Sequence, residues 1–356
     1  MKAIILLSGG LDSTLAAELM NREGLELLAV NFKTPFCLCD RHSSNLGCGS
    51  NALRVAEGLG IELKIINATR DFLEVLQKPR HGYGANMNPC IDCRILFFQK
   101  SKELMEENGA SFIITGEVLG QRPMSQFRRQ MDLIEREAGL DGLVVRPLSA
   151  RLLPPTIPEK NGWISRERML DIAGRSRKPQ MALAKDLGIN DYPCAAGGCL
   201  LTDPEFANRI RDLIGHNELD MQNIDLLKSG RYFRLTPSAK LIVGRNENEN
   251  KMLTLLAKEG DYVFGPATIN GPIAVGKGLF SQDLLQVACQ IVARYCDRYG
   301  KLDADISYKR LPDSEAKMIR VGFLDDEELA RLRKLRLDAN TIKNNNQIKN
   351  KSKLPL

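Results

Sequence analysis

Ala3-Ile4-Ile5-Leu6-Leu7-Ser8-Gly9-Gly10-Leu11-Asp12-Ser13 is the stretch whose reading decides the fold. Five apolar residues run into a Ser-Gly-Gly turn, and residues 11–20 then follow a helical pattern. This reads as a buried strand, a tight loop and a helix start. Glycines let the backbone approach an anion closely, and the free amides of the first helical turn point at it. Ser8, Ser13 and Thr14 add hydroxyl donors. A carboxylate repels bare phosphate, so Asp12 is expected to face a bound Mg²⁺ or to cap the helix. No Gly-Lys-Ser/Thr follows, so this is not a Walker loop, and the dinucleotide spacing is absent.

Working outward, strand patterns at 3–7, 26–32, 62–66, 111–115 and 142–146 alternate with helical patterns at 11–20, 52–59, 93–107 and 126–137. Such alternation predicts an α/β fold, a five-stranded parallel sheet with helices on both faces. Ligands bind at the carboxyl ends of strands in open sheets of this kind. The segments just past those ends are the Ser8 loop and residues 31–48, 116–125 and 147–158. A proline-rich break, Leu152-Leu153-Pro154-Pro155-Thr156-Ile157-Pro158, marks a domain edge. Helical patterns at 166–173 and 179–187 follow, joined by Gly174-Arg175-Ser176-Arg177-Lys178. A loop through Cys194 and Cys199 comes next, then a helix from 204 to about 214. From Arg231 the texture becomes α+β, with strands at 232–235, 241–243 and 262–264 and helices at 248–258 and 282–298. The expected organisation is a nucleotide domain at 1–158, a helical extension at 159–229, a smaller α+β domain at 230–339 and a disordered basic tail at 340–356.

A chain of 356 residues is long for one core. No apolar run approaches a membrane span, and strand and loop begin at once, leaving no room for a signal peptide; a cytoplasmic protein without a membrane partner is expected. The net charge of +6 permits a polyanionic partner. Nine cysteines in such a chain favour metal or catalytic thiols over disulfides. Cys289 and Cys296 lie in an apolar helical run and read as core. In Asn88-Pro89-Cys90-Ile91-Asp92-Cys93, a Cys-x-x-Cys enters a helix and puts two thiols on one turn. A redox pair, half of a zinc site completed by Cys194 and Cys199, and part of an iron–sulfur site all use this spacing. Cys37, Cys39 and Cys48 are too loosely spaced to decide between buried thiols, a second metal site and a disulfide. Past the fourth strand, Gly116 permits close approach to a nucleotide, and Arg122 could meet phosphate.

Ser-Gly-Gly-x-Asp-Ser resembles the pyrophosphatase loop of the PP-loop ATPases, which implies cleavage of ATP between its α- and β-phosphates and adenylation of a carbonyl oxygen. Ser8–Ser13, Cys90 with Cys93, residues 115–120 and the Cys194/Cys199 pair together resemble the tRNA thiouridine synthetases, over roughly the first 215 residues. The run 82–125 and the Pro-Cys-Ala-Ala-Gly-Gly-Cys loop are closest to a 4-thiouridine-synthetase-like branch. The resemblance implies ATP and Mg²⁺ on Ser8, Gly9, Gly10, Asp12, Ser13, Thr14, Asn31, Gly116 and Glu117. It implies catalytic roles for Asp12, Cys90, Cys93 and Cys199, and a 4Fe–4S cluster, with zinc as the alternative, on Cys90, Cys93, Cys194 and Cys199. Cys199 follows two glycines and is preferred over Cys194 as third ligand. The implied partners are tRNA and a sulfur donor, either sulfide or sulfur from a cysteine desulfurase, and a homodimer is compatible with it. Residues 231–246 and the helix after them resemble an NFACT-type RNA-binding region. There Arg231, Arg234, Lys240 and Arg245 are expected to meet phosphate, with Tyr232 and Phe233 available to stack. Neither the RNA-binding module that precedes the loop in the 4-thiouridine synthetases nor a rhodanese-like tail is expected here. Two other readings use the same residues: a PP-loop ligase acting on a small metabolite, and a zinc-stabilised RNA-binding adaptor without turnover.

Overall fold

A computed structural model describes residues 1–37, 48–190, 192 and 198–332. The expectations for Cys39, Cys194 and the 340–356 tail lie outside the described residues, as does the side chain of Cys48. The chain divides into two compact units at Ala207/Asn208. The helical extension expected at 159–229 is therefore not a body of its own, since it is split between them.

In the first unit β1 (Lys2–Leu6), α1 (Leu11–Arg22), β2 (Glu26–Lys33), α2 (Cys48–Leu59), β3 (Glu62–Asn67), α3 (Thr69–Gln77), α4 (Cys90–Glu107), β4 (Phe112–Thr115), α5 (Arg128–Ala138) and β5 (Val144–Val145) follow in order. The sheet order is β3-β2-β1-β4-β5, and every pairing is parallel. β1 is apolar throughout because both its faces are covered. Ala3, Ile5 and Leu7 pack against Ala16, Ala17 and Met20 of α1 and Ala52 and Ala56 of α2. Ile4 and Leu6 turn the other way, onto Ile95 and Phe98 of α4 and Ile134 of α5. β1 is central, so the turns after β1 and β4 meet at the carboxyl edge of the sheet.

The unit continues through α6 (Ile157–Lys160) and α7 (Lys178–Asp186). The helix expected at 166–173 is only a 3₁₀ turn, Arg166–Arg168. Residues 170–172 instead lie along another backbone: Leu170 N–H donates to Pro147 O and Ile172 N–H to Leu148 O, each at 2.8 Å. Hydrogen bonds taken up by a neighbouring segment are unavailable to a helix.

α8 (Pro204–Gly215) crosses the boundary between the units. In the second unit α9 (Met221–Lys228), β6 (Arg231–Thr236), β7 (Ala239–Val243), α10 (Glu247–Leu256), β8 (Tyr262–Pro266), β9 (Ala274–Gly278), α11 (Gln282–Arg294), β10 (Asp303–Arg310) and β11 (Lys317–Gly322) follow. Six strands form an antiparallel sheet in the order β11-β10-β8-β9-β7-β6. β9, β10 and β11 are strands beyond the three expected. α11, capped by Ser281 at the Leu284 amide, lays Leu285, Ile291 and Val292 onto Phe233, Leu241, Phe264 and Ile306. Cys289 and Cys296 are buried there, as expected of core residues. Among the described residues no helix is long and apolar enough to cross a membrane.

The tightest joint in the first unit is Gly116, just past β4. A Cβ built on it would stand 2.5 Å from Ser13 N and 2.6 Å from Asp12 O, both backbone atoms. Gly116→Ala is expected to lower the unfolding free energy by about 1–3 kcal/mol, measured by urea titration of the full chain.

Candidate functional site

The Ser8 loop is shaped by its own hydroxyls. Thr14 Oγ1 and Ser13 Oγ donate to Gly10 O at 3.0 and 2.9 Å, and Ser8 Oγ lies 3.1 Å from Ser13 Oγ. Gly9 has φ +72°, and a Cβ there would stand 2.6 Å from Ala52 N, so only glycine serves. Gly10 is the N-cap of α1 and no side chain caps it, so the first amides of the helix keep their capacity for an anion.

Asp12 does not cap the helix. Its Oδ2 accepts from Gln121 Nε2 at 2.9 Å, and its Oδ1 is buried without a hydrogen-bond partner. A buried carboxylate oxygen left open in this way fits a hard cation. Asn31 donates to Leu7 O at 2.8 Å, tying β2 to the end of β1, and its Oδ1 is likewise buried and unpartnered. Glu117 is 2% exposed and closed in by cations. Arg146 Nε donates to it at 3.0 Å, Arg94 Nε stands 3.2 Å away, and Arg146 also bonds Glu135. These ion pairs link the segment after β4 to β5, α4 and α5, while Glu117 Oε1 is buried without a hydrogen-bond partner.

The thiols come together through main-chain contacts. Leu200 N–H donates to Phe36 O at 2.8 Å and Met87 N–H to Leu201 O at 3.1 Å, while Cys37 and Cys199 form an antiparallel bridge. Asn86 Nδ2 donates to Thr202 O at 2.7 Å. The Cys199 turn is thus clamped between the end of the β2 segment and the loop leading into α4. α4 begins at Cys90 rather than at Cys93, so both thiols lie in its first turn. Between them Asp92 is buried and accepts from the Arg80 and His81 amides at 2.8 and 3.1 Å, which fixes the approach to Cys90. Sequence reasoning passed over Asp92, and it left Cys37 undecided. The Asp92 role was legible, because an acid in a first helical turn is a common anchor; the Cys37–Cys199 bridge was not.

Cys90, Cys93 and Cys199 are in no disulfide. They stand close enough to influence one another electrostatically, and Cys199 also feels Cys37. Burial pushes the Cys199 thiol up to about 12. Burial also raises Cys93, and it raises Cys90 against the pull of Arg94 and Arg122. As they stand these thiols are protonated near neutrality and are weak nucleophiles. Among the described residues no three His, Cys, Asp or Glu side chains form a ready-made metal site. Arg122 is within electrostatic reach of Asp12, Cys90 and Cys199.

In the second unit the structure corrects the expected RNA contacts. Tyr232 and Phe233 are 3% and 2% exposed and cannot stack on bases. Arg234 donates to Asp212 Oδ2 at 2.7 Å and to Glu218 Oε2 at 2.5 Å, and Lys240 donates to Glu218 at 2.7 Å. Tyr232 also bonds Asp212. Arg231 donates to Gly244 O at 2.9 Å and lies 4.2 Å over the Tyr295 ring, and Arg245 pairs with Glu249. Arg234 and Lys240 are buried and hold the sheet to its neighbours, since charges at buried positions need partners, whereas Arg245 is exposed.

Residues 1–151 match the family model described as thiamine biosynthesis protein (ThiI), and residues 230–333 match the NFACT protein RNA binding domain. Two separate stretches of the chain are thus similar to two different family models. It is 31% identical over 119 residues to a protein of Nitratiruptor sp. named tRNA-specific 2-thiouridylase MnmA, covering 32% of this chain and 34% of that one. It is 33% identical over 120 residues to a probable tRNA sulfurtransferase of Caldanaerobacter subterraneus subsp. tengcongensis, covering 34% of this chain and 30% of that one. The chain spans about a third of the length of these curated relatives. A solved structure titled as a predicted subunit of tRNA methyltransferase from Methanocaldococcus jannaschii aligns at 18% identity and a TM-score of 0.30, over 41% of this chain and 67% of that one.

Because Asp212 is 1% exposed, Arg234→Ala is expected to cost about 3–5 kcal/mol by leaving that carboxylate buried without its cation. Hydrogen-exchange mass spectrometry across residues 230–322 checks this: exchange rises there in the variant, and an unchanged exchange pattern would overturn the structural role of Arg234.

Proposed function

We propose that this chain thiolates a uridine of tRNA, activating a uracil carbonyl with ATP and then receiving sulfur at the thiol group. The observation that carries this reading is the nearness of two unlike centres. One is an uncapped Ser-Gly-Gly loop with an open Asp12 oxygen, the other the thiols of Cys90, Cys93 and Cys199, and Arg122 is within electrostatic reach of both. A ligase for a small metabolite has no evident use for three gathered thiols, and an RNA adaptor has none for the loop.

ATP phosphates rest on the amides of Gly10–Ser13 and the hydroxyls of Ser8 and Ser13. Asp12 Oδ1 would hold Mg²⁺, which neutralises phosphate charge. The uracil oxygen attacks the α-phosphorus, a P–O bond forms, and the bond to the departing pyrophosphate breaks. Positioning and charge neutralisation account for most of such a rate enhancement. Hydrosulfide then adds to the activated ring carbon and AMP leaves with the former carbonyl oxygen, so the exchange needs a sulfide-level donor and no oxidant. Arg122 is placed to hold the negative charge of AMP as it departs. The all-thiol donor set fits an iron–sulfur group or zinc. Cys90, Cys93 and Cys199 would hold the cluster, with Cys37 beside Cys199. When bound it would supply an open iron for hydrosulfide.

Asp12→Asn and Ser13→Ala are each expected to reduce tRNA-dependent pyrophosphate release by about a hundredfold or more with circular dichroism unchanged. Wild-type rates in both would remove the ATPase assignment. Protein purified without oxygen is expected to be brown and to contain iron and acid-labile sulfide. Cys90→Ser, Cys93→Ser and Cys199→Ser should each lose that colour and the thiolated nucleoside seen by mass spectrometry. Colourless anaerobic protein holding stoichiometric zinc, and thiolating with a persulfide donor, would sink the cluster while leaving adenylation in place.

A further inference from the structure

Of the cations expected to grip RNA in the second unit, Arg234 and Lys240 are buried in ion pairs, which turns attention to the exposed cations of the first unit. Two stretches of the first unit stand out. Residues 118–131 hold Arg122, Arg128 and Arg129 and no acidic residue; residues 172–185 hold Arg175, Arg177, Lys178 and Lys185 and again no acidic residue. The fold lays them together. Leu119 and Ala173 form a parallel bridge, and Gly174 N–H donates to Leu119 O at 2.7 Å. Gly120 N–H donates to Gln126 O at 2.7 Å, which folds the start of α5 back onto the same turn. Gln121 in that turn bonds Asp12, so the seam adjoins the loop. Arg129, Arg175, Lys178 and Lys185 are exposed and have no ion-pair partner among the described residues.

We infer that this seam, with Arg129, Arg175 and Lys178 at its centre, is the surface on which the first unit holds the phosphate backbone of its tRNA beside the adenylation loop. The inference rests on the proposed function. Unopposed cations at the rim of a reaction cleft suit a polyanion carrying a regular line of charge. Specific protein interfaces, by contrast, are depleted in lysine. The contacts read no sequence; they set where along the RNA the target base falls.

The test uses the full chain carrying Arg129→Gln, Arg175→Gln and Lys178→Gln together, with labelled tRNA and fluorescence anisotropy across a series of salt concentrations. Each lost phosphate contact removes about 0.7–0.9 from the slope of log affinity against log salt, so the slope is expected to fall by about 2–3. Affinity at about 0.1 M salt should drop at least tenfold, with ATP binding unchanged. Combined Lys2→Gln, Lys102→Gln and Lys160→Gln, toward the amino ends of the strands, should change neither quantity. If the intact chain binds and thiolates tRNA but the seam variant keeps both affinity and slope, the seam is overturned and the function stands; its cations would then face an acidic protein partner. If the intact chain neither binds nor thiolates tRNA, the function fails and the seam falls with it.

Discussion

No side chain fits between the end of β4 and the first turn of α1. At Gly116 backbone lies against backbone, with a hypothetical Cβ 2.5 Å from Ser13 N. β1 and β4 are neighbours in the sheet, so this contact fuses the turns that follow them into one body. Gln121 can then reach Asp12, and Arg122 comes within electrostatic reach of Asp12 and Cys90. A larger residue would push the two turns apart and separate those groups together. The geometry of the site is thus set by an exclusion of volume more than by any attraction.

The Glu117–Arg146–Glu135 arrangement supports that joint from below. Burial raises the Glu135 carboxyl, and the Arg146 guanidinium beside it opposes that. Both carboxylates are on elements flanking β5, a strand of only two residues. Charge pairing does there what a longer ladder does elsewhere in the sheet.

The parallel sheet was legible because strands covered on both faces are unbroken apolar runs, as Ala3 to Leu7 shows. β5 was overestimated at its ends, since Gly142 turns with φ +71° and Arg146 leaves for its acids. α3 escaped notice because only Phe72 and Leu76 of its nine residues are buried. The loop glycines and the thiols of α4 could be read directly, for their chemistry is local. Cys37 could not, because its partner lies far along the chain and a single bridge leaves no pattern. The second unit misled for a related reason: a sequence displays the charge of Arg234 but not the Asp212 and Glu218 that absorb it. Cations on a strand read as ligand-facing until the opposite wall is known.

Cys199 is held by main-chain bonds to residues 36 and 37, which lie near the start of the chain. In synthesis from the amino terminus, Cys37, Cys90 and Cys93 are all made long before it. The thiol group therefore closes only after the whole sheet and α7 have been produced. The same clamp makes residues 199–202 the last-made part of the thiol group, joined to the first unit by main-chain bonds.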